Sequence, residues 1–400
     1  MMKKVLFLLA LMPLLFACKD EEQIPETGFF KIYDDVRYVV DFHPIDVVKS
    51  TSGYIILSAT EIDRTDFSGI QLIKVDEEGE FIAEHTFDPA PVLPTGEIMD
   101  VNGRYYFFGM DPQTVQVQLI SVDDSLENEQ ITNVPLTYPL AAALSSSGNQ
   151  FLMLSYDPFN AESQISEIAT DGSIVNTAAY SIGAGDDVEG TILNHYLNPG
   201  DQPLPFFVGE TPGGTVFFNG FFNYSLSLVF SDFGGTPTGV LQGQTINGGI
   251  RSALPISGNV FAIGGFQFND NFIGPDATIS STAIASSVDL YTLYGNVTEF
   301  RSYTPMDIIS YEVGGTPYTI FAAETENRQI GLYIFDQSSG ELVGKHNIGY
   351  LNPYTLASIR PEMDEENHLL ILGTTYVANR FQRIYLNRIT EEEVSNWINQ

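Results

Sequence analysis

The chain has 400 residues and a formal net charge of −34, with 17 basic and 51 acidic side chains. A surface this acidic repels phosphate backbones, which argues against DNA or RNA as a partner. Hydrophobic residues make up 44% and charged residues 17% of the chain, so the composition is that of a folded protein and not of a disordered acidic tail. The length accommodates one large all-β domain or two smaller domains.

The first 17 residues have the pattern of a secretory signal. Lys3 and Lys4 precede an apolar run from Val5 to Ala17, and this run is shorter than the roughly 20 residues that a membrane-spanning helix needs. The run ends in Leu15-Phe16-Ala17-Cys18. We therefore expect a signal peptide over residues 1–17, followed by a mature chain that starts at Cys18.

This ending resembles the lipobox of bacterial lipoproteins, in which Leu lies three residues before a Cys and a small residue lies directly before it. Cys18 is also the only cysteine of the chain. The resemblance implies that the Cys18 thiol carries diacylglycerol and that the new amine is acylated with a fatty acid such as palmitate. Several acyl chains hold a soluble domain firmly at a membrane. An ordinary cleaved signal with an incidental cysteine is the alternative. A lone cysteine leaves no intrachain disulfide, so the core must hold the fold.

A short polar tether follows the cysteine and runs to about Gly28. Its first residues, Lys19, Asp20, Glu21 and Glu22, resemble the Lys-plus-acidic tag that sends lipoproteins of the Bacteroidetes group to the outside of the outer membrane. A merely solvated tether is the alternative, because short motifs also occur by chance. The resemblance implies a lipoprotein anchored in the outer membrane, with its folded domain facing the cell exterior.

Residues 29–400 predict many short strands. Runs rich in Val, Ile, Tyr, Phe and Thr alternate with turns that contain Gly, Pro, Asn or Asp, which is typical of antiparallel sheets. In the first unit, the predicted strands are Ile45–Val48, Tyr54–Ala59, Ile70–Val75 and Phe81–Phe87. The same order recurs loosely six more times, with a turn before an apolar strand in each repeat. Each repeat has roughly 50 residues, which lies in the range of propeller blades.

The repeat resembles the β-propeller fold. We therefore predict an all-β domain of about seven four-stranded blades, in which Phe29 to Val40 supplies the strand that closes the ring and protects its edges. Two tandem β-sandwich domains are the alternative, because sandwiches also have strands every ~8–12 residues. Sandwiches do not, however, predict a turn with Gly before an apolar strand in each unit.

The C-terminus predicts a short helix. Thr390 and Glu393 have the spacing of a capping box, in which each side chain bonds the backbone N–H of the other residue. Val394, Trp397 and Ile398 follow at helical spacing, so one face of the helix is apolar. We expect the helix to pack against the last blade, with Trp397 as its anchor.

The chain contains no recognisable catalytic motif. Its five histidines have no zinc-site spacing; they are His43, His85, His195, His346 and His368. A nucleophile elbow and a phosphate-binding Gly-Lys-Ser/Thr loop are also absent from the sequence. A lipid-bound Cys18 would exclude thiol chemistry. We therefore assign no catalytic and no cofactor-binding residue.

Two groups of carboxylates offer oxygen ligands of the kind that Ca²⁺ prefers. Asp186, Asp187 and Glu189 form one group, and Asp270 and Asp276 belong to the other. Neither has the EF-hand spacing, and solvated loops are the simpler interpretation for so acidic a chain. A carboxylate pair for glycoside hydrolysis depends on a separation and a raised pKa that the sequence does not supply.

Two further features bear on ligand binding. The aromatic-rich segment 217–224 could stack on sugar rings if exposed, but we expect it to fill the space between blades. Segments 183–205 and 265–290 are predicted to be extended loops, and long loops on a rigid fold are where binding sites tend to form.

These features favour a non-enzymatic protein. We expect a lipid-anchored propeller that binds or scaffolds a glycan, a peptide or an envelope protein. The alternative is a hydrolase or lyase that cleaves extracellular polysaccharide with carboxylates at the central funnel. An enzyme requires carboxylates, His, Tyr or Arg that converge on one funnel. A scaffold requires only small or apolar residues there, so the two hypotheses differ in the residues near the axis.

Overall fold

The computed structural model describes residues 28–33, 42–61, 66–183, 188–197, 204–223, 225–244, 248–267, 270–285, 294, 297–302, 304–349, 352–362, 367–377 and 381–398. This part of the chain forms 27 strands and two short helices. The predicted all-β class is therefore confirmed.

The strands form six sheets, one of which has seven strands, β2 to β8. We divide this sheet at its long strand β5 and number the resulting groups as units 1 to 7 in chain order. Unit 1 contains β2 (Phe42–Ser50), β3 (Gly53–Thr60), β4 (Gly69–Val75) and the first part of β5 (Phe81–Val101). Unit 2 contains the second part of β5, β6 (Arg104–Met110), β7 (Gln116–Val122) and β8 (Gln130–Thr137). Unit 3 contains β9 (Pro139–Leu144), β10 (Gln150–Asp157), β11 (Glu162–Ala169) and β12 (Ile174–Ser181).

Unit 4 contains β13 (Phe207–Glu210), β14 (Val216–Phe222), β15 (Ser225–Ser231) and β16 (Gly239–Gln244). Unit 5 contains β17 (Gly248–Ser257), β18 (Val260–Gln267) and β19 (Asp270–Thr278). The short β20 (Ile284–Ala285) pairs in parallel with β16 of unit 4. Unit 6 contains β21 (Met306–Val313), β22 (Thr316–Glu324), β23 (Ile330–Asp336) and β24 (Leu342–Ile348). Unit 7 contains β25 (Tyr354–Pro361), β26 (Leu369–Val377), β27 (Phe381–Ile389) and the N-terminal β1 (Phe29–Tyr33).

The burial of each strand follows its position in the unit. In β3, the second strand of unit 1, all eight residues are buried, because both faces of the sheet are covered by neighbouring units. In β12, the last strand of unit 3, the first four residues are mostly exposed. From Ala178 to Ser181, buried and exposed side chains alternate. A strand covered on both faces is a continuous apolar run, whereas a partly covered strand alternates.

The core consists of seven hydrophobic clusters in the described residues. Six of them join two consecutive units, and the cluster between units 3 and 4 also includes Val92, Leu93 and Met110 of β5 and β6. At each junction, a residue of one unit shares a cluster with a residue of the next unit. From the junction of units 1 and 2 to that of units 7 and 1, examples of such pairs are Leu72 and Phe107, Phe108 and Phe151, Tyr180 and Phe218, Phe217 and Phe261, Ile273 and Phe321, Ile334 and Ile371, and Leu370 and Ile56. The units therefore pack face to face in a closed cycle.

The two ends of the chain complete unit 7. Strand β1 pairs antiparallel with β27, from Phe29 opposite Arg388 to Tyr33 opposite Ile384. The first strands of the units also contact each other in order, from β2 through β5, β9, β13, β17, β21 and β25 back to β2. These first strands therefore line the inside of the cycle.

Glycine is required where a bulged first strand approaches the second strand of its unit. The register of β25 shifts between Leu356 and Ser358, and Gly373 of β26 lies opposite Leu356. A Cβ atom on Gly373 would lie 1.9 Å from the carbonyl oxygen of Thr355. Unit 5 repeats the arrangement, since a Cβ on Gly265 would lie 2.3 Å from the Gly249 oxygen. No side chain fits at such an approach of two backbones.

Two predicted loops contain regular structure. Helix α1 (Glu189–Leu197) lies in segment 183–205 and is held by the buried side chains of Ile192 and Tyr196. Strand β19 lies in segment 265–290. The loop prediction was wrong for these residues because a nine-residue helix and a strand rich in polar residues give weak periodic signals. Strand β5 also continues beyond the predicted strand Phe81–Phe87 and ends at Val101.

Helix α2 (Glu391–Trp397) ends the described chain. The Thr390 side chain accepts a hydrogen bond from the Glu393 N–H, and the Glu393 side chain accepts one from the Thr390 N–H. Trp397 stacks on His346 of β24, with ring centroids 4.1 Å apart. The Gly314 N–H in the turn after β21 donates to the Glu391 carboxylate at 2.7 Å, and the helix touches β21 and β24 of unit 6. Val394 and Trp397 also share a hydrophobic cluster with residues of unit 7. The helix therefore packs at the junction of units 6 and 7.

Candidate functional site

Four charged side chains from four units meet on the inner strands. They are Asp46 on β2, Glu97 on β5, Asp307 on β21 and Arg360 on β25. We call this group the axial cluster. Its members come from units 1, 2, 6 and 7, so only the closure of the cycle brings them together.

Arg360 is the centre of the axial cluster. Its Nε and Nη2 atoms donate to Asp46 Oδ1 and Oδ2, each at 2.8 Å. Nη2 also lies 3.1 Å from Glu97 Oε1. The Asp46 side chain is 3% exposed, whereas that of Glu97 is 39% exposed. A two-pronged guanidinium–carboxylate contact combines charge with fixed geometry, so Asp46 is held rigidly and Glu97 is the accessible partner.

Two of the carboxylates also bind the backbone of a following unit. Asp46 Oδ2 accepts a hydrogen bond from the Ile98 N–H at 3.1 Å, and Asp307 Oδ2 accepts one from the Ile359 N–H at 3.1 Å. Both bonds span 52 residues, which is one repeat. The inner strand of a unit has an unpaired edge, and a carboxylate from the preceding unit satisfies one of its donors.

The environment changes the pKa values of two members. Burial raises the pKa of Asp307 to about 6, with a contribution from the negative charges of Asp46 and Glu97, although Arg360 and the Ile359 N–H oppose the rise. Burial lowers the pKa of Arg360, but the charges of Asp46 and Glu97 outweigh this effect and raise that pKa well above its ordinary value. Arg360 therefore stays charged, while Asp307 exchanges its proton close to neutral pH.

Three carboxylates around one guanidinium make the axis electronegative when all are ionised. Asp307 has the raised pKa that a proton donor needs. Asp46 is fully engaged with Arg360 and the backbone, so it is placed to hold units together. Within the described ranges, no three His, Cys, Asp or Glu side chains are arranged to hold a metal ion.

Sequence reasoning did not single out the axial cluster. Asp46 lies in Ile45-Asp46-Val47-Val48 and Asp307 in Met306-Asp307-Ile308-Ile309. A lone Asp inside an apolar strand is costly to bury unless it has partners. The positions of Asp46 and Asp307 in apolar strands were therefore the sequence signal that each has a partner. The partner, Arg360, could not be found in this way because it lies 314 residues from Asp46.

The predicted site residues have different outcomes. The lipid-attachment residue Cys18 and the export-tag residues Lys19, Asp20, Glu21 and Glu22 lie outside the described residues.

The predicted carboxylate groups do not form a cation site in the described part of the chain. Asp186 and Asp187 lie outside the described residues. Glu189, at the start of α1, accepts a hydrogen bond from the Tyr138 hydroxyl at 3.1 Å. Asp270 and Asp276 lie six residues apart on one strand, which separates them by about 20 Å. They are therefore too far apart to share one cation.

The histidines occupy separate structural positions. His195 is partly buried, and its Nδ1 accepts a hydrogen bond from the Leu204 N–H at 2.9 Å. Burial lowers the pKa of His195 to about 4, so it is neutral at physiological pH. His85 contacts Glu129 at 3.0 Å, and His43 is exposed on β2. His346 stacks on Trp397.

The aromatic-rich segment is divided between two junctions. Phe217 belongs to the cluster between units 4 and 5, and Phe218 to the cluster between units 3 and 4. Phe221 and Phe222 are partly buried against the same cluster as Phe218. Tyr224 lies outside the described residues. The described aromatic rings therefore pack between units, as alternation along a strand predicts.

No family model matches the chain, and no curated protein matches it in sequence. Among solved structures, it is similar to the β-propeller domain of the Trilobed protease from Pyrococcus furiosus, with 10% identity, a TM-score of 0.46, and coverage of 91% of this chain and 95% of that chain. It is also similar to the Pyrococcus horikoshii acylaminoacyl peptidase, with 11% identity and a TM-score of 0.47 over 86% of this chain. The match covers 51% of that peptidase.

No helix in the described ranges is both long enough and apolar enough to span a bilayer.

Proposed function

We propose that this protein is a lipoprotein of the bacterial outer membrane, anchored through Cys18 and facing the cell exterior. Its folded part is proposed to be a seven-bladed β-propeller that acts as a binding or scaffold module for a glycan, a peptide or an envelope protein. The single observation that carries the anchor is the pattern Leu15-Phe16-Ala17-Cys18 after an apolar run, with no other cysteine in the chain.

The proposal of seven blades is supported by the closed cycle of the units. Seven clusters join consecutive units, and the last cluster joins unit 7 to unit 1 through Leu370 and Ile56. Two tandem sandwiches would have two separate cores and would not bring the first and last sheets together. In this proposal, the two parts of β5 belong to different blades.

The anchor is tested by mass spectrometry of the mature N-terminus. We expect the first residue to be Cys18, with added mass that corresponds to a diacylglycerol group and an acyl chain. Cys18→Ser should lose this mass and leave the membrane fraction while the domain stays folded. An unmodified thiol, another start site, or unchanged membrane retention of the Cys18→Ser protein would contradict the proposal.

The outward orientation rests on Lys19, Asp20, Glu21 and Glu22. Replacement of these four residues by Ala should protect the domain from protease added to whole cells, whereas the parent protein should be cleaved. Acylation should be the same in both proteins, which separates export from anchoring. Equal cleavage of the two proteins would contradict the role of the tag.

A binding role is favoured over catalysis because Asp46, the most buried carboxylate of the axial cluster, is already bound by other groups of the protein. Asp46 is held by Arg360 and by the Ile98 N–H, which is an arrangement that fastens units together. Helix α1 lies in the long connection between β12 and β13, and long connections on a rigid body are where binding residues tend to lie. Binding to isolated envelope polysaccharide and to outer-membrane proteins is the direct measurement, with turnover of the bound polysaccharide measured in parallel.

The second candidate function is hydrolysis or cleavage of extracellular polysaccharide. It is favoured by one arrangement: Asp307, whose pKa is raised to about 6 by burial, and the accessible Glu97 lie around the same Arg360 guanidinium. In this case, the wild type should release reducing ends or unsaturated ends from envelope polysaccharide, and Asp307→Asn should abolish the release without loss of binding. Binding without any turnover by the wild type would leave the scaffold proposal as the better one.

A further inference from the structure

A second charged network lies at the junction of units 7 and 1, which we call the seam. Its centre is Glu362, just after β25, whose side chain is 0% exposed. Lys49 of β2 donates to Glu362 Oε1, and the Tyr54 hydroxyl of β3 lies 3.0 Å from both carboxylate oxygens. Two groups of unit 1 therefore hold a carboxylate of unit 7.

Unit 7 supplies the remaining partners of this carboxylate. Arg388 Nε donates to Glu362 Oε2 at 3.0 Å, and Arg388 Nη2 lies 3.0 Å from His368 Nδ1. Because a guanidinium only donates, this His368 nitrogen accepts and the ring is neutral, with its proton on Nε2. His368 is 1% exposed. The network thus places two cations, one phenol and one neutral imidazole around one buried anion.

The seam differs from the other junctions in the path of the chain. At each of the other six junctions, the chain itself continues from the last strand of one unit towards the first strand of the next, with helix α1 between units 3 and 4 and strand β20 between units 5 and 6. At the seam, unit 7 is completed only when β1 pairs with β27. The cycle can therefore open there by loss of non-covalent contacts alone, while the remaining junctions stay intact.

The chain concentrates its few cations at this junction. Between Arg104 and Arg251 there is no Lys or Arg, so units 3 and 4 have none. Across the seam, by contrast, Lys31 of β1 pairs with Glu80 at 2.5 Å, Arg360 pairs with Asp46 at 2.8 Å, and Lys49 pairs with Glu362. An apolar cluster is also present at the seam, and the ion pairs add to it.

We infer that the seam is a releasable closure, and that the Glu362 network sets how often the cycle opens between units 1 and 7. A buried ion needs all of its partners, because removal of one charge leaves the others in a low-dielectric interior. Loss of the Glu362 charge leaves Lys49 and Arg388 facing each other across the seam. Opening releases β1 and exposes the edge of β27 while units 2 to 6 keep their structure. This inference rests on the closed cycle and not on the lipid anchor.

The test is native-state hydrogen exchange, read by mass spectrometry, on the full chain and on Glu362→Gln. In the wild type, amides of β1, β2 and β27 should exchange faster than those of β10 and β11 in unit 3. In Glu362→Gln, the exchange at the seam should rise by about 100-fold, and the exchange of β10 and β11 should stay unchanged. Regional exchange of this kind reports subglobal opening.

Two further variants make the test decisive. Lys49→Met removes only the cation that crosses from unit 1, and it should give the same regional pattern if Glu362→Gln fails to fold. Glu299→Gln is the matched control, because Glu299 pairs with Lys345 away from the seam, and it should leave the exchange at the seam unchanged. Seam strands that are as protected as β10 in all variants, or a uniform rise in exchange over all units, would overturn the inference.

Discussion

The Arg360 guanidinium of unit 7 binds the Asp46 carboxylate of unit 1 through two hydrogen bonds of 2.8 Å. The two residues lie 314 positions apart. Arg360 also contacts Glu97 of unit 2, so one side chain links three units near the axis. This geometry has a direct consequence for stability.

Arg360→Gln should lower the free energy of unfolding by about 3–5 kcal/mol, because it leaves the buried Asp46 carboxylate without its cation. Asp46→Asn combined with Arg360→Gln should cost less than the sum of the two single substitutions. Urea unfolding measures all three proteins. Lys345→Gln, in an exposed ion pair with Glu299, is the control and should cost at most about 1 kcal/mol. Equal losses for Arg360→Gln and Lys345→Gln would contradict the central role of Arg360.

Asp307→Asn should change the pH dependence of stability. The pKa of Asp307 rises from 3.8 to about 6 on folding, so the folded state binds this proton more tightly than the unfolded chain does. The stabilisation from the proton is present below about pH 4 and is lost as the pH rises through about 6. The wild type minus Asp307→Asn difference in unfolding free energy should therefore fall between these pH values. A flat difference, or one that rises with pH, would show that the environment of Asp307 has been misjudged.

Thr390→Ala should destabilise helix α2 by about 1 kcal/mol, because the Glu393 N–H loses its acceptor. Trp397 in this helix is the only tryptophan of the chain, so its fluorescence reports the packing of α2 on His346. We expect a red-shifted emission at a lower urea concentration than the loss of β-sheet circular dichroism. If the Trp397 fluorescence transition has the same urea midpoint in Thr390→Ala and in the wild type, the cap contributes nothing to the stability of α2.

Gly373→Ala should destabilise the protein by more than about 2 kcal/mol, because its Cβ would lie 1.9 Å from the Thr355 oxygen and the backbone must move. Gly190 in helix α1 provides the matched control, since a Cβ there meets no atom within 4 Å. Gly190→Ala should be neutral or stabilising by up to about 1 kcal/mol. Thermal unfolding of both variants measures the difference, and similar melting temperatures would argue against the tight approach of β25 and β26.

Much of the local structure could be predicted from the sequence. Short strands separated by turns that contain Gly or Asn were predicted, and in the turn between β5 and β6 both Asn102 and Gly103 have positive φ, at 56° and 77°. The capping residues Thr390 and Glu393 were predicted from their spacing alone. Such features depend on neighbours a few residues away, so the chain determines them without reference to the rest of the fold.

The candidate site could not be predicted in the same way. Asp46, Glu97, Asp307 and Arg360 each lie in a strand whose local pattern gives no partner, and Glu362 lies 308 residues from Tyr54. Helix α1 was also missed, because it depends on the burial of Ile192 and Tyr196 between units 3 and 4. The sequence by itself determined the repeated strands and turns outside segments 183–205 and 265–290, the terminal cap and the pattern that predicts the anchor at Cys18. Only the tertiary structure decided which charges meet, because a contact between distant residues depends on how the units close into a cycle.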